Sequence, residues 1–130
     1  MYMHPHSSEI VLDYVTAKII GEYRSRDDYH FETIAGPTGP HGVKVFLRGL
    51  LLRVFLVETP ASLHVETTAR EWVRTAGAVE AVGARLWIAV PIGQEVAVRR
   101  SLRGLDVDAT MYTYAPPGCG VLGQTPQPEA

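Results

Sequence analysis

Glu58, His64 and Glu66 are the side chains whose spacing could bring chemical groups together. They carry even numbers in the passage LRVFLVETPASLHVETT, residues 52–68, which reads as two strands, 53–58 and 62–67, joined at Thr59-Pro60-Ala61. Pro60 has no amide proton, so it belongs in the turn and not in a ladder. With the turn centred there, Val54 lies opposite Glu66, Leu56 opposite His64 and Glu58 opposite Ser62. That face is a mixed set, fit to line a cleft or to face water. Phe55, Val57, Leu63 and Val65 make the apolar face expected to meet the core. Ser62, His64 and Glu66 are not a nucleophile-base-acid triad, because alternate residues of one strand stand side by side and do not reach through one another.

Other chemistry-bearing residues are more scattered. Arg99, Arg100 and Arg103 share one expected helix, and Arg70, Arg74 and Arg85 could join them in contacting phosphates, although such a set also describes an ordinary solvated helix face. Without interleaved aromatics, sequence-specific reading of nucleic acid is not expected. His4 and His6 lack a third metal ligand. The loop 36–42 lacks the lysine and following helix of a phosphate-binding loop. Cys119 has no helix start or basic neighbour to make its thiol reactive.

The elements that must position these residues follow from periodicity and punctuation. A helix capped by Ser7 or Ser8 runs to about Arg24, with Leu12, Val15, Ile19 and Tyr23 on one stripe. Strands are expected at 29–35 and 43–47, with the glycines and prolines of 36–42 between them. Gly49 is either the bend of a further hairpin or a bulge in one long strand. Thr68 and Glu71 have capping-box spacing, so a helix is expected from there to Gly83, with Trp72, Ala76 and Val79 inward and Val73 and Val82 widening the stripe. Gly77 within it is expected to allow close packing. A buried strand at 85–90, a helix at 94–103 stopped by Gly104, and a strand at 106–114 follow, with Val107, Ala109 and Met111 inward. Residues 115–130, rich in proline and glycine, are expected to be a tail.

These elements predict one α/β domain over 1–114, a mixed β-sheet flanked by helices in the order α-β-β-β-α-β-α-β. The 130 residues, 46% hydrophobic and 20% charged, are enough to bury a core. A formal charge of −2 excludes an overwhelmingly basic nucleic-acid binder and leaves room for a local positive groove. One cysteine excludes an internal disulfide and any zinc site built on several cysteines. No apolar run is long enough to span a membrane and the first residues lack the pattern of a secretion signal, so a cytoplasmic location without membrane partners is expected.

The element order and the passage LRVFLVETPASLHVETT resemble the core of the restriction-endonuclease-like PD-(D/E)xK superfamily, which includes junction resolvases and transposon end-cleaving endonucleases. In that family a Pro-Asp on one hairpin strand and a Glu-x-Lys on the next hold magnesium and orient the attacking water. The resemblance implies that Glu66 is the glutamate, that the lysine position falls on Thr68 and the aspartate position on Val54, and that Arg53 stands where the proline would be. Glu9 matches a further acidic ligand of some members, although a glutamate in a first helical turn is favourable in its own right. Valine cannot bind a hard cation and threonine carries no charge, so the motif is degenerate, with Arg70 or Lys44 as substitutes for the lysine. The expected function is a non-catalytic binding or assembly module linked to nucleic-acid processing, with no cofactor. Two alternatives stand beside it: a magnesium-dependent nuclease with ligands Glu66 and Glu9, and a protein-interaction or homo-oligomeric domain that does not touch nucleic acid.

Overall fold

A computed structural model describes residues 7–24, 28–35 and 40–115. His4, His6, Cys119 and the tail expected at 115–130, apart from Ala115, lie outside the described residues. Among the described residues, three α-helices and five strands follow in the order α1 (Ser7–Tyr23), β1 (Tyr29–Ile34), β2 (Gly42–Leu47), β3 (Leu50–Val57), α2 (Glu66–Ala81), β4 (Arg85–Pro91), α3 (Glu95–Leu105) and β5 (Thr110–Tyr114). The strands form one mixed sheet in the order β1-β2-β3-β4-β5. The first three are antiparallel; β3, β4 and β5 are parallel. The expected mixed α/β architecture is therefore present.

β3 is the pivot, hydrogen-bonded to an antiparallel neighbour on one side and a parallel one on the other. Val54, Phe55, Leu56 and Val57 are all buried, as a strand covered on both faces requires. Phe55 and Val57 face a core shared with Val11, Val15 and Ile19 of α1; Val54 and Leu56 face a second core built with Trp72 and Val79 of α2 and Val98 and Leu102 of α3. The expectation that one face of this strand is mixed fails for that reason.

The hairpin expected around Pro60 is absent. Residues 62–67 are not a strand: Ser62–His64 form a short 3₁₀ turn, Val65 is extended and exposed, and α2 begins at Glu66. Thr59-Pro60-Ala61-Ser62 is a closed turn leading into the 3₁₀ turn. Thr59 Oγ1 accepts the Ser62 N–H at 3.0 Å and Ser62 Oγ accepts the Thr59 N–H at 2.8 Å, a reciprocal pair in which Pro60 has no amide proton to satisfy. Thr68 does not cap a helix with Glu71; its hydroxyl donates back to the Ser62 carbonyl at 2.7 Å.

The hairpin that does exist joins β2 to β3. Arg48 and Gly49 both have positive φ, 53° and 83°, in a two-residue connection that pairs Leu47 with Leu50, which suits the twist of the flanking strands. Arg48 is held there by Asp28, whose carbonyl accepts its N–H at 3.1 Å and whose carboxylate pairs with its guanidinium at 3.3 Å. Gly49 is thus the bend, and the bulge lies between Val45 and Phe46.

Gly83, at φ 77°, ends α2 as expected, with the Ala84 N–H closing on the Val79 carbonyl at 2.9 Å. Gly104 does not end α3. Asp106 does, in the left-handed conformation, with the Val107 N–H on the Leu102 carbonyl at 2.9 Å. Val73 and Val82 are exposed and do not widen the core stripe of α2. Gly77 packs against nothing: a Cβ added there meets no atom within 4 Å. Gly77→Ala should therefore stabilise the domain by about 0.5–1 kcal/mol, because alanine restricts the unfolded chain and costs nothing in an open helical position. A thermal or urea unfolding curve checks this, and destabilisation would contradict it.

The helices divide the sheet unequally. α1 packs over β1, β2 and β3 on one face, whereas α2 and α3 pack over β4 on the other. The second face of the antiparallel half is flanked by α2 and left as a cleft.

Candidate functional site

The cleft floor is a cross-strand row. Glu32 of β1 pairs with Lys44 of β2, Lys44 with Val54 of β3, and Val54 with Leu86 of β4. Ile34, Leu51 and Leu56 extend the floor, while Arg74, Thr75, Ala78, Val79 and Val82 of α2 form the wall. The volume is about 510 Å³, within the range of small-ligand and peptide-side-chain sites. Lys44 is half-buried beside the apolar row, and none of the ion pairs among the described residues engages it. Arg74 pairs with Glu71 one turn back on its own helix.

The residues assigned from sequence are dispersed. Glu66 is the first residue of α2, exposed in a turn where a negative charge complements the free amide protons. It is not on a strand and does not oppose Val54. Glu9 lies in the first turn of α1, on the other face of the sheet. Arg53 also faces α1, donating to the Tyr23 hydroxyl with its guanidinium 4.8 Å from the Trp87 ring centre. The fold therefore does not gather Glu9, Arg53, Glu66 and Val54 at one point.

The arginines divide in the same way. Arg74 borders the cleft from α2. Arg99 and Arg103 border a depression of about 170 Å³ on the opposite flank of the helical layer, between α3 and β5, with Met111 at its base. Arg70 and Arg100 are exposed, and Arg85 is tied to Asp108 at 3.0 Å and to the Thr110 hydroxyl at 2.9 Å. The histidines are separate too: His30 stacks on Phe46 with ring centres 4.7 Å apart, and His64 is exposed. Among the described residues no three His, Cys, Asp or Glu side chains converge as a metal site.

Comparison of the chain with family models, curated proteins and solved structures gives no match. No helix among the described residues is long and apolar enough to cross a membrane.

Glu58 is the acidic residue whose role sequence reasoning missed. At the end of β3 it turns inward and is buried, its carboxylate accepting from Ser62 Oγ at 2.7 Å and Trp72 Nε1 at 2.9 Å. The Tyr114 hydroxyl donates to its backbone carbonyl at 2.5 Å. Burial pushes the carboxyl pKa above its ordinary 4.5, against the opposing pull of the Ser62 and Trp72 hydrogen bonds. Glu58 therefore fastens β3, the turn at 59–62 and α2 together, away from the cleft. Its signal in the sequence is Thr-Pro-x-Ser directly after a glutamate, a turn that leads into a 3₁₀ turn and α2 and not into a second strand.

A floor of this composition can hold a partner by apolar burial, with one ammonium and one carboxylate to orient it. Two oxygen ligands side by side, which a hard dication would need, are not offered by Lys44, Val54 and Leu56.

Proposed function

We propose that this chain is a non-catalytic binding or assembly module on a restriction-endonuclease-like fold, associated with nucleic-acid processing, and that the cleft beside α2 is its binding surface. The observation that carries the reading is the cleft floor. A nuclease of the resembled family needs two carboxylates and a lysine on adjacent hairpin strands; on the β2–β3 hairpin the corresponding row holds Lys44, Val54 and Leu56. What suits water activation is replaced by what suits contact. Lys44 on the floor and Arg74 on the wall supply positive charge for a phosphate backbone.

The apolar share of the floor favours a second reading, in which the occupant is an extended protein segment and nucleic acid is not involved. Salt separates the two. Fluorescence anisotropy with labelled single-stranded, duplex and branched DNA and with RNA, at about 50 and about 200 mM salt, should show binding that weakens by roughly tenfold or more, because each phosphate contact releases counterions. Lys44→Ala with Arg74→Ala should reduce that binding further than Arg99→Ala with Arg103→Ala. Greater loss with the α3 pair would move the surface to the depression beside β5, and salt-insensitive or absent binding would favour the protein segment.

A further inference from the structure

The apolar residues of α1 are not confined to its core stripe: a second, narrower set stands on the outer side between charged residues. Val11, Val15 and Ile19 are spent on the core. On the side facing away from the sheet stand Ile10, Tyr14, Ala17 and Gly21, all exposed, Ile10 by 53% and Tyr14 by 42%. At 100° per residue these four fall within about 60° of arc, opposite the core stripe. Their spacing of four, three and four residues is that of a coiled-coil seam, and the small residues in its second half permit close approach of another helix. Exposed Asp13 flanks the seam on one side and exposed Lys18 on the other.

We infer that this face of α1 binds α1 of a second copy of the chain, in parallel, about a two-fold axis along the helices. The charges select both partner and direction. In the parallel arrangement Asp13 of each copy lies five residues before Lys18 of the other on the same flank, the spacing at which flanking charges pair across a two-stranded seam, and the two-fold axis forms that pair twice. In the antiparallel arrangement Asp13 meets Asp13 and Lys18 meets Lys18. The seam spans only about three turns, so the dimer is weak, with a Kd on the order of 10 μM. The surface lies on the opposite face of the sheet from the cleft and leaves it open.

Sedimentation velocity on the full chain, from about 1 to about 300 μM, tests this over the range of a weak interface. The native chain should pass from monomer to dimer. Ala17→Glu should weaken association at least about tenfold while leaving the far-ultraviolet circular dichroism unchanged, because position 17 is exposed and the added carboxylates meet at the seam. Asp13→Lys should weaken it roughly fivefold, and adding Lys18→Asp should restore it, since the exchanged charges pair again. A native chain still monomeric at the highest concentration overturns the proposal, as it would if a segment of the same chain covered the stripe. A dimer unaffected by Ala17→Glu also overturns it. A double variant no tighter than Asp13→Lys overturns the parallel arrangement.

Discussion

Glu58→Ala is expected to destabilise the domain by about 3 kcal/mol, because the buried Trp72 indole N–H loses its acceptor, Ser62 loses one partner and a cavity opens at the end of β3. Urea unfolding followed by tryptophan fluorescence reads this directly. Glu58→Gln should behave differently: its amide oxygen can accept from Trp72 and its amide nitrogen can donate to Ser62 Oγ, whose own proton can turn to the Thr59 carbonyl 3.2 Å away. The pH dependence separates the two forms. The carboxyl of Glu58 is raised above 4.5 in the folded chain, so its contribution is fully present below pH 4.5 and is lost as pH rises through the folded value. The glutamine variant carries no such loss. Its stability relative to the native chain should rise with pH above 4.5 and then level off. A constant difference across that range, or an alanine variant within about 0.5 kcal/mol of native, would show that Glu58 does not fasten the three elements.

Gly42→Ala is expected to be at least as damaging, with a loss of about 4 kcal/mol or failure to fold. Gly42 opens β2 opposite Leu56, and a Cβ there would land on the Phe55 carbonyl oxygen, with the Phe55 carbonyl carbon at 2.9 Å and the Leu56 Cα at 3.1 Å. All three are backbone atoms of the pivot strand, so no side-chain rotation relieves the overlap. The β2–β3 ladder would have to separate where it meets both cores. Circular dichroism and a urea titration check this, and a variant that unfolds like the native chain would contradict the placement of β2 against β3.

Clear breaks were enough to find α1, β4 and α3, together with the apolar residues of α1 and β4 and the amphipathic spacing of α3. The stretch from 53 to 68 was misread for two physical reasons. Val54 to Val57 is a run buried on both faces, so alternation carries no information about which face is the core. Thr59-Pro60 fits a hairpin turn and the approach to a 3₁₀ turn equally well until the Ser62 side chain is seen closing back on Thr59. The error carried over to the site. Placing 62–67 as a strand put Glu66 opposite Val54, whereas the partners of Val54 are Lys44 and Leu86. From sequence Lys44 stands only as a substitute for a missing lysine, because the pairing that sets it in the cleft depends on the bulge between Val45 and Phe46, which no residue type announces. Gly42, read as the end of a loop, gives no local sign that another strand crosses it so closely.

The cleft is expected to bind nucleic acid and not to cut it. The most direct measurement is incubation of the native chain with linear, supercoiled and branched DNA and with RNA, in magnesium or manganese, scoring cleavage on a gel and retention in the same samples. Intact nucleic acid, retained in a salt-sensitive manner and released by Lys44→Ala with Arg74→Ala, is the expected result. Cleavage by the native chain that disappears in Glu66→Ala would contradict it and place a metal-dependent nuclease site at the start of α2.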